Sequence, residues 1–94
     1  MFKILIAEDD NELRQLFERV LMKNGYDPIG VSDGQEALQY LEKEYVDLVI
    51  SDIMMPRMDG YALARAVREQ SPAMPILMIT AKGTFDDISL GFHS

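Results

Sequence analysis

Two short apolar runs in this chain each end in acidic residues. The run ILIA at positions 4–7 leads directly into Glu8 and Asp9, and the apolar run at 46–51 leads into Asp52. If the two runs form neighbouring parallel strands, at least three carboxylates meet at one edge of a sheet. Crowded carboxylates repel one another and become partly neutral unless a divalent cation lies between them. The pattern predicts a metal-assisted site in which one carboxylate accepts a phosphoryl group.

The composition narrows the choice of metal to ions that prefer oxygen. The chain has no cysteine and a single histidine, His93, which excludes a disulfide framework, a thiolate site and a histidine-rich centre. Carboxylate and carbonyl oxygens remain as ligands. These ligands suit magnesium, calcium or manganese.

The charge balance narrows the choice of partners and of location. Sixteen acidic residues against nine basic ones give a net charge of −7 in 94 residues. This excess disfavours binding to nucleic acid or to an anionic membrane, since both need a basic face. The first apolar run is too short for a signal peptide or a spanning helix. We therefore expect a soluble, cytoplasmic protein that binds neither a membrane nor, through this segment, nucleic acid.

Apolar segments with the features of strands recur along the chain. The second of them contains Pro28 and Gly30, which are typical of a strand near a sheet edge. The other three are nearly continuous apolar runs, as expected for strands buried on both faces. The predicted strands are 3–7, 26–31, 47–51 and 75–80.

Helical patterns separate these strands and follow the last one. The first helix is predicted to begin at Asp9 or Asp10, because Asp9-x-x-Glu12 matches a capping box. The remaining helices are predicted to begin at 32–35, 59–60 and 84–87. Strands that alternate with helices of this length indicate right-handed βαβ units and a parallel sheet.

Polar residues stand at the carboxyl ends of the predicted strands. They are Glu8, Asp9, Asp52 and Thr80. In open parallel sheets, ligands bind beyond the carboxyl ends of the strands, where the strand order reverses. The sequence therefore predicts the functional site at this edge.

Three segments resemble a known family in their order and spacing. Positions 3–10, 47–56 with Asp59-Gly60, and 75–81 resemble the response-regulator receiver domain of two-component signalling, which is CheY-like. The resemblance implies an α/β fold with a doubly wound, flavodoxin-like parallel sheet in strand order 2-1-3-4. It also implies a single receiver domain over residues 1–94, truncated before the family's fifth strand, fifth helix and fifth-strand lysine.

The resemblance assigns the metal ligands. It implies a Mg²⁺ ion held by Asp9 and Asp52, by Glu8 through water, and by the backbone carbonyl of Met54. Asp52 is at the same time the implied phosphoacceptor.

The resemblance also assigns the residues on the phosphoryl side of the site. Thr80 is the implied hydroxyl that moves towards the phosphoryl group, and Ala81 is the small residue that lets this group approach. Lys82 does not match the position of the family's lysine and receives no role.

The implied function is a phosphoacceptor switch of a two-component system. Asp52 would take a phosphoryl group from a sensor histidine kinase with Mg²⁺, and the change would be relayed to a distant surface. The chain would be no enzyme beyond its own phosphorylation and dephosphorylation. Because most relatives of this kind regulate transcription, an output domain is expected in the full-length protein.

Two alternatives remain from the residues themselves. A haloacid-dehalogenase-like phosphatase also uses a strand-end aspartate and magnesium, but it needs a second aspartate where this chain has Met54. A receiver fragment without phosphorylation could instead act as an interaction module. The uncovered edge of its fourth strand would then pair with a strand of another chain and form a homodimer or an exchanged assembly.

Overall fold

Strands and helices alternate strictly along the described part of the chain. The structure is a computed structural model, and it describes residues 1–79. The elements are β1 (Lys3–Ala7), α1 (Asn11–Lys23), β2 (Asp27–Val31), α2 (Gly34–Lys43), β3 (Leu48–Asp52), α3 (Gly60–Gln70) and β4 (Ile76–Ile79). The strands form one sheet in the order β2-β1-β3-β4, with every neighbouring pair parallel. The predicted α/β class and strand order are confirmed.

Strand β1 lies at the centre of the sheet, as its apolar sequence indicates. Ile4, Leu5 and Ile6 are all buried. Ile6 pairs with Gly30 on one side and with Ile50 on the other. Strand β2 is outermost among the four described strands, which is where its proline and glycine predicted it to be.

The two sides of the sheet are covered to different extents. Apolar residues of β1 and β3 join those of α2 and α3 in one core cluster, whose members include Leu5, Ala7, Ala37, Val49, Leu63 and Val67. On α1, by contrast, no residue is buried, and Leu16 and Val20 are 45% and 48% exposed. Most of the hydrophobic stabilisation of the described residues therefore comes from the side of α2 and α3.

An aspartate is the N-cap of each of the three described helices, and the first cap differs from the predicted capping box. The N-cap of α1 is Asp10, whose Oδ1 accepts a hydrogen bond from the Leu13 N–H at 3.1 Å. Asp9 is thus not the cap, and its side chain remains at the edge of the sheet. Asp33 and Asp59 cap α2 and α3 in the same way. None of the helices within residues 1–79 is long and apolar enough to cross a membrane.

Strand β3 extends one residue beyond the predicted range. It spans Leu48–Asp52 rather than 47–51, and Asp52 still pairs with Ile79 of β4. The backbone of Asp52 is therefore fixed by the sheet itself. The predicted fourth strand is observed at Ile76–Ile79; Thr80, Ala81 and the helix predicted after 84 lie outside the described residues.

Candidate functional site

The register of the two central strands brings Glu8 and Asp9 beside Asp52. Ala7 of β1 pairs with Ser51 of β3, so the residues that follow each position lie next to each other. One carboxylate oxygen from each of Glu8, Asp9 and Asp52 lies within 4.8 Å of the other two. We call these three residues the acidic group. The sequence predicted this meeting of side chains from two separate segments.

Burial makes the acidic group electrostatically unfavourable by itself. Glu8 and Asp52 are each 1% exposed, and Asp9 is half-buried. Two unit charges 4.8 Å apart repel by about 3 kcal/mol at an effective dielectric constant of about 20. Removal of the carboxylates from water adds a further cost. A cation between them offsets both terms.

Backbone amides fix the orientation of two of these carboxylates. The Asp10 N–H donates to Glu8 Oε2 at 2.9 Å, and the Met54 N–H donates to Asp52 Oδ1 at 3.2 Å. Arg14 holds the backbone at the same place, since its Nη1 donates to the Glu8 carbonyl oxygen at 2.9 Å. The side chains are therefore held in position by the fold.

The donor atoms of the acidic group suit a hard divalent cation. Mg²⁺ binds oxygen at about 2.0–2.1 Å, so two ligands on opposite sides of the ion lie about 4.2 Å apart. All three oxygens of the acidic group lie within 4.8 Å of one another, which is close to this separation. Mg²⁺ in proteins commonly keeps several waters, and the water-mediated role of Glu8 stays a prediction.

An open cleft of about 530 Å³ lies beside the acidic group. The residues that line it include Asp9, Met54, Pro56 and Tyr61. The Met54 N–H contacts Asp52, and Met54 and Asp9 line the same cleft; the role of the Met54 carbonyl as a metal ligand stays a prediction. The cleft leaves room for a small phosphodonor or for the side chain of a partner protein.

Gly60 allows α3 to start directly against β3. A Cβ atom at this position would lie 2.5 Å from the Asp52 carbonyl oxygen, which is a backbone atom and cannot move aside. The Gly60 N–H donates to the Ile53 carbonyl oxygen at 2.9 Å and closes the loop between the two elements. A glycine is therefore required for the close approach at the acidic group.

The structure also contains a long-range ion pair that the sequence analysis missed. Arg57 Nη2 donates to Asp33 Oδ2 at 2.6 Å, which joins the loop after β3 to the start of α2. The Glu36 N–H and then the Arg57 guanidinium stabilise the Asp33 carboxylate, and together they hold its pKa below the usual value. The two residues are far apart in sequence and share no motif, so no pattern indicated the pair.

The fold and the acidic group agree with one known family. The family model of the response regulator receiver domain matches residues 4–92, and the chain belongs to this family. Such receiver domains are components of two-component signalling systems. The resemblance stated from the sequence is confirmed.

Comparisons with individual proteins give the same result. Over 91 residues the chain is 42% identical to the Bacillus subtilis alkaline phosphatase synthesis transcriptional regulatory protein PhoP; the match covers 97% of this chain and 38% of PhoP. The chain therefore spans less than two fifths of the length of that relative. The structure is also similar to the chemotaxis protein CheY4 of Vibrio cholerae, with a TM-score of 0.84 and 36% identity, covering 97% of this chain and 78% of CheY4.

A third similar protein has been solved in two complexes. Response regulator TrrA of Thermotoga maritima is 32% identical and was solved with Mg²⁺-BeF, with a TM-score of 0.84 and coverage of 88% and 72% of the two chains. It was also solved in complex with the histidine kinase ThkA, with a TM-score of 0.83 and coverage of 90% and 73%.

Proposed function

We propose that this receiver domain is a phosphoacceptor switch in which Asp52 takes a phosphoryl group with Mg²⁺ bound at the acidic group. The convergence of Glu8, Asp9 and Asp52 within 4.8 Å carries the proposal. The Mg²⁺-BeF complex of TrrA supports the choice of ion. Asp52 is the acceptor because the resemblance assigns this role to it and because its position at the end of β3 places it beside the loop that lines the cleft.

The proposed transfer breaks one bond and forms another. A carboxylate oxygen of Asp52 attacks the phosphorus of a phosphohistidine to form an acyl phosphate, and the P–N bond breaks with its electron pair returning to the ring nitrogen. Bound Mg²⁺ supplies neutralisation of the charge that develops on the phosphoryl oxygens. The protein contributes orientation, since the Met54 N–H holds one oxygen of Asp52 and the Asp10 N–H holds one oxygen of Glu8.

The signal ends when water cleaves the acyl phosphate. In this proposal Thr80 supplies the hydroxyl that responds to the phosphoryl group and Ala81 leaves space for it, as the resemblance implies. The chain would turn over no separate substrate and would be an enzyme only towards its own aspartyl phosphate. Conformational relay to a surface would follow from the new charge at Asp52.

A histidine kinase is the proposed partner, and a transcriptional output is proposed for the longer protein. The complex of TrrA with the histidine kinase ThkA supports the first of these. The name of PhoP, a transcriptional regulatory protein that extends well beyond this domain, supports the second. A cytoplasmic location would give the domain access to a phosphorylated kinase.

Phosphorylation in vitro tests the proposal directly. The chain is incubated with acetyl phosphate and Mg²⁺, and the phosphorylated residue is located by mass spectrometry. We expect one phosphoryl group on Asp52, no modification without Mg²⁺, and complete loss in Asp52→Asn. Modification of the wild type at another residue, or at Asp52 without any divalent cation, would contradict the proposal.

A neighbouring carboxylate provides a matched control. Asp10 lies at the same edge but caps α1, and asparagine is an equally good N-cap. Asp10→Asn should therefore be phosphorylated as fast as the wild type. Turnover of a generic phosphate ester would favour the phosphatase alternative instead. The predicted homodimer or exchanged assembly is checked separately, by sedimentation over a wide range of concentrations.

A further inference from the structure

The loop between β3 and α3, residues 53–59, is tied to the start of α2 at two neighbouring positions. The first tie is the ion pair of Arg57 with Asp33. The second is Met58, since a Cβ atom at Gly34 would meet three of its side-chain atoms at 3.0–3.1 Å. Asp33 is the N-cap of α2 and Gly34 is its first residue. The loop therefore contacts the N-terminus of α2 at Arg57 and Met58.

The backbone at this bend is strained. Arg57 has φ of 66°, and it is the one non-glycine residue with positive φ among residues 1–79. The Met58 N–H donates to the Pro56 carbonyl oxygen at 2.7 Å, which makes a tight three-residue turn around Arg57. A non-glycine residue persists in this region when surrounding contacts impose it, and such positions cluster at functional sites. Among residues 1–79, the Arg57 side chain makes an ion pair with Asp33.

The segment between this bend and Met54 has little freedom to absorb a displacement. Two residues separate Arg57 from Met54. One of them, Met55, is buried in the core cluster, and the other, Pro56, has a φ fixed by its ring. A change at Arg57 is therefore transmitted towards Met54, whose amide contacts Asp52.

We propose that Arg57, through its ion pair with Asp33, is a positioning residue for the metal and phosphoryl site. The pair sets the shape of residues 53–59 and so holds the Met54 backbone beside Asp52. This inference rests on the proposed function, because its readout is Mg²⁺ binding and phosphorylation at the acidic group. Asp33 is ionised at neutral pH, since its pKa lies below the ordinary value of 3.8, chiefly because of the Glu36 N–H and then because of Arg57.

Two substitutions remove the ion pair while they keep the N-cap of α2 and allow the observed φ at position 57. Arg57→Gly takes away the guanidinium and places at position 57 a residue that adopts φ of 66° without strain. Asp33→Ser keeps a good N-cap for α2, but its side chain is too short to reach Arg57. Mg²⁺ affinity is measured by calorimetry and the phosphorylation rate with acetyl phosphate, alongside the melting temperature of each variant without metal.

We expect the Mg²⁺ dissociation constant to rise about tenfold in either variant, which is the lower end of the range for residues that orient metal ligands. The phosphorylation rate at limiting Mg²⁺ should fall by a similar factor, while Arg57→Gly melts no lower than the wild type. The double variant should bind Mg²⁺ no more weakly than each single variant, since both remove the same contact. A purely structural role would lower the melting temperature and leave Mg²⁺ affinity unchanged.

The sign of the change in Mg²⁺ affinity distinguishes a positioning role of Arg57 from a direct effect of its charge. Loss of a positive charge near the acidic group would by Coulomb's law strengthen cation binding, which is the opposite of the expected effect. Arg68→Ala removes the same charge from an exposed position in the last turn of α3 and serves as the matched control. Its Mg²⁺ affinity should equal or slightly exceed that of the wild type.

The outcomes distinguish this inference from the proposed function. If the wild type binds Mg²⁺ and is phosphorylated on Asp52, but Arg57→Gly and Asp33→Ser do both equally well, the positioning role is wrong and the proposed function stands. If the wild type neither binds Mg²⁺ nor accepts a phosphoryl group, both are overturned.

Discussion

The interior of the sheet and its carboxyl edge are equally buried but contribute to stability in opposite directions. Leu5 and Val49 lie in the interior with no exposed surface, and Glu8 and Asp52 lie at the edge with 1% exposed. Each interior side chain stabilises the fold by about 1.5–3 kcal/mol. Each edge carboxylate repels its neighbours and has lost water. Burial is thus stabilising in one region, whereas in the other it carries a cost that a bound cation would offset.

Truncation of the interior should give the largest effect on stability. We expect Leu5→Ala to lower the free energy of unfolding by about 3 kcal/mol, because it removes buried contacts and leaves a cavity. Urea denaturation with and without Mg²⁺ measures this change. The stabilisation that saturating Mg²⁺ adds should be the same as in the wild type. If Mg²⁺ no longer stabilised Leu5→Ala, the packing of the interior and the metal binding at the edge would not be independent.

The loosely covered side of the sheet supplies the control for this variant. Leu16→Ala removes the same atoms from α1, where Leu16 is 45% exposed. The loss should stay near 1 kcal/mol, since little buried surface is removed. A loss equal to that of Leu5→Ala would show that α1 packs as tightly as α2 and α3.

A substitution at the boundary between the regions should affect both. We expect Gly60→Ala to cost about 2 kcal/mol, because its Cβ would lie 2.5 Å from the Asp52 carbonyl oxygen and force the backbone apart. Unlike Leu5→Ala, it should also weaken Mg²⁺ binding in calorimetry. Gly25→Asn is the control, since asparagine tolerates positive φ and no atom lies within 4 Å of a Cβ at position 25.

Neutralisation of the edge should stabilise the metal-free protein. We expect Asp9→Asn and Asp52→Asn each to raise the free energy of unfolding by about 1 kcal/mol without Mg²⁺, because each relieves repulsion within the acidic group. The wild type should gain about 1.4 kcal/mol at Mg²⁺ ten times its dissociation constant, and the two variants much less. Thermal unfolding with Mg²⁺ and with a chelator measures both differences. Destabilisation of both variants without metal would contradict this account of the edge.

The smallest expected effect concerns the acid dependence of the Asp33–Arg57 pair. The pKa of Asp33 is lowered from its ordinary value of 3.8, chiefly by the Glu36 N–H and then by Arg57, so its ionisation stabilises the fold above about pH 4. That contribution is lost as the pH falls through the lowered pKa. Asp33→Asn retains the cap and should be less stable than the wild type at pH 7 by less than about 1 kcal/mol, since Arg57 is exposed to solvent. The difference should shrink as the pH falls below about 4 and vanish once Asp33 is protonated in the folded protein, which urea titrations across this range can measure.

Much of the fold followed from local patterns in the sequence. The continuous apolar run of β1 indicated a central strand, because a strand in the middle of a parallel sheet is buried on both faces. Pro28 indicated an edge strand, because proline has no N–H to donate to a neighbouring strand. The acidic group was predictable once β1 and β3 were taken as neighbours: parallel strands end at the same edge, so residues that follow two adjacent strands lie close together. The positions of Glu8, Asp9 and Asp52 therefore needed no long-range information beyond strand order.

Other features depend on geometry that no local pattern contains. Asp9 and Asp10 have the same chemistry, and the choice between them as cap is set by where the first turn of α1 begins. The left-handed backbone at Arg57 and its pairing with Asp33 arise from how the loop meets α2. Apolar residues recur at helical spacing along α1, at Leu13, Leu16, Phe17, Val20 and Leu21, but how much of this face is buried depends on what covers it.

The two halves of the acidic group come from opposite sides of a long stretch of chain. Glu8 and Asp9 follow β1, whereas Asp52 ends β3, and α1, β2 and α2 all lie between them. A nascent polypeptide that has left the ribosome only as far as α2 therefore carries Glu8 and Asp9 but not Asp52. Under the proposed function, competence for phosphorylation would arise only when β3 pairs with β1, so incompletely synthesised or misfolded copies would not accept a phosphoryl group.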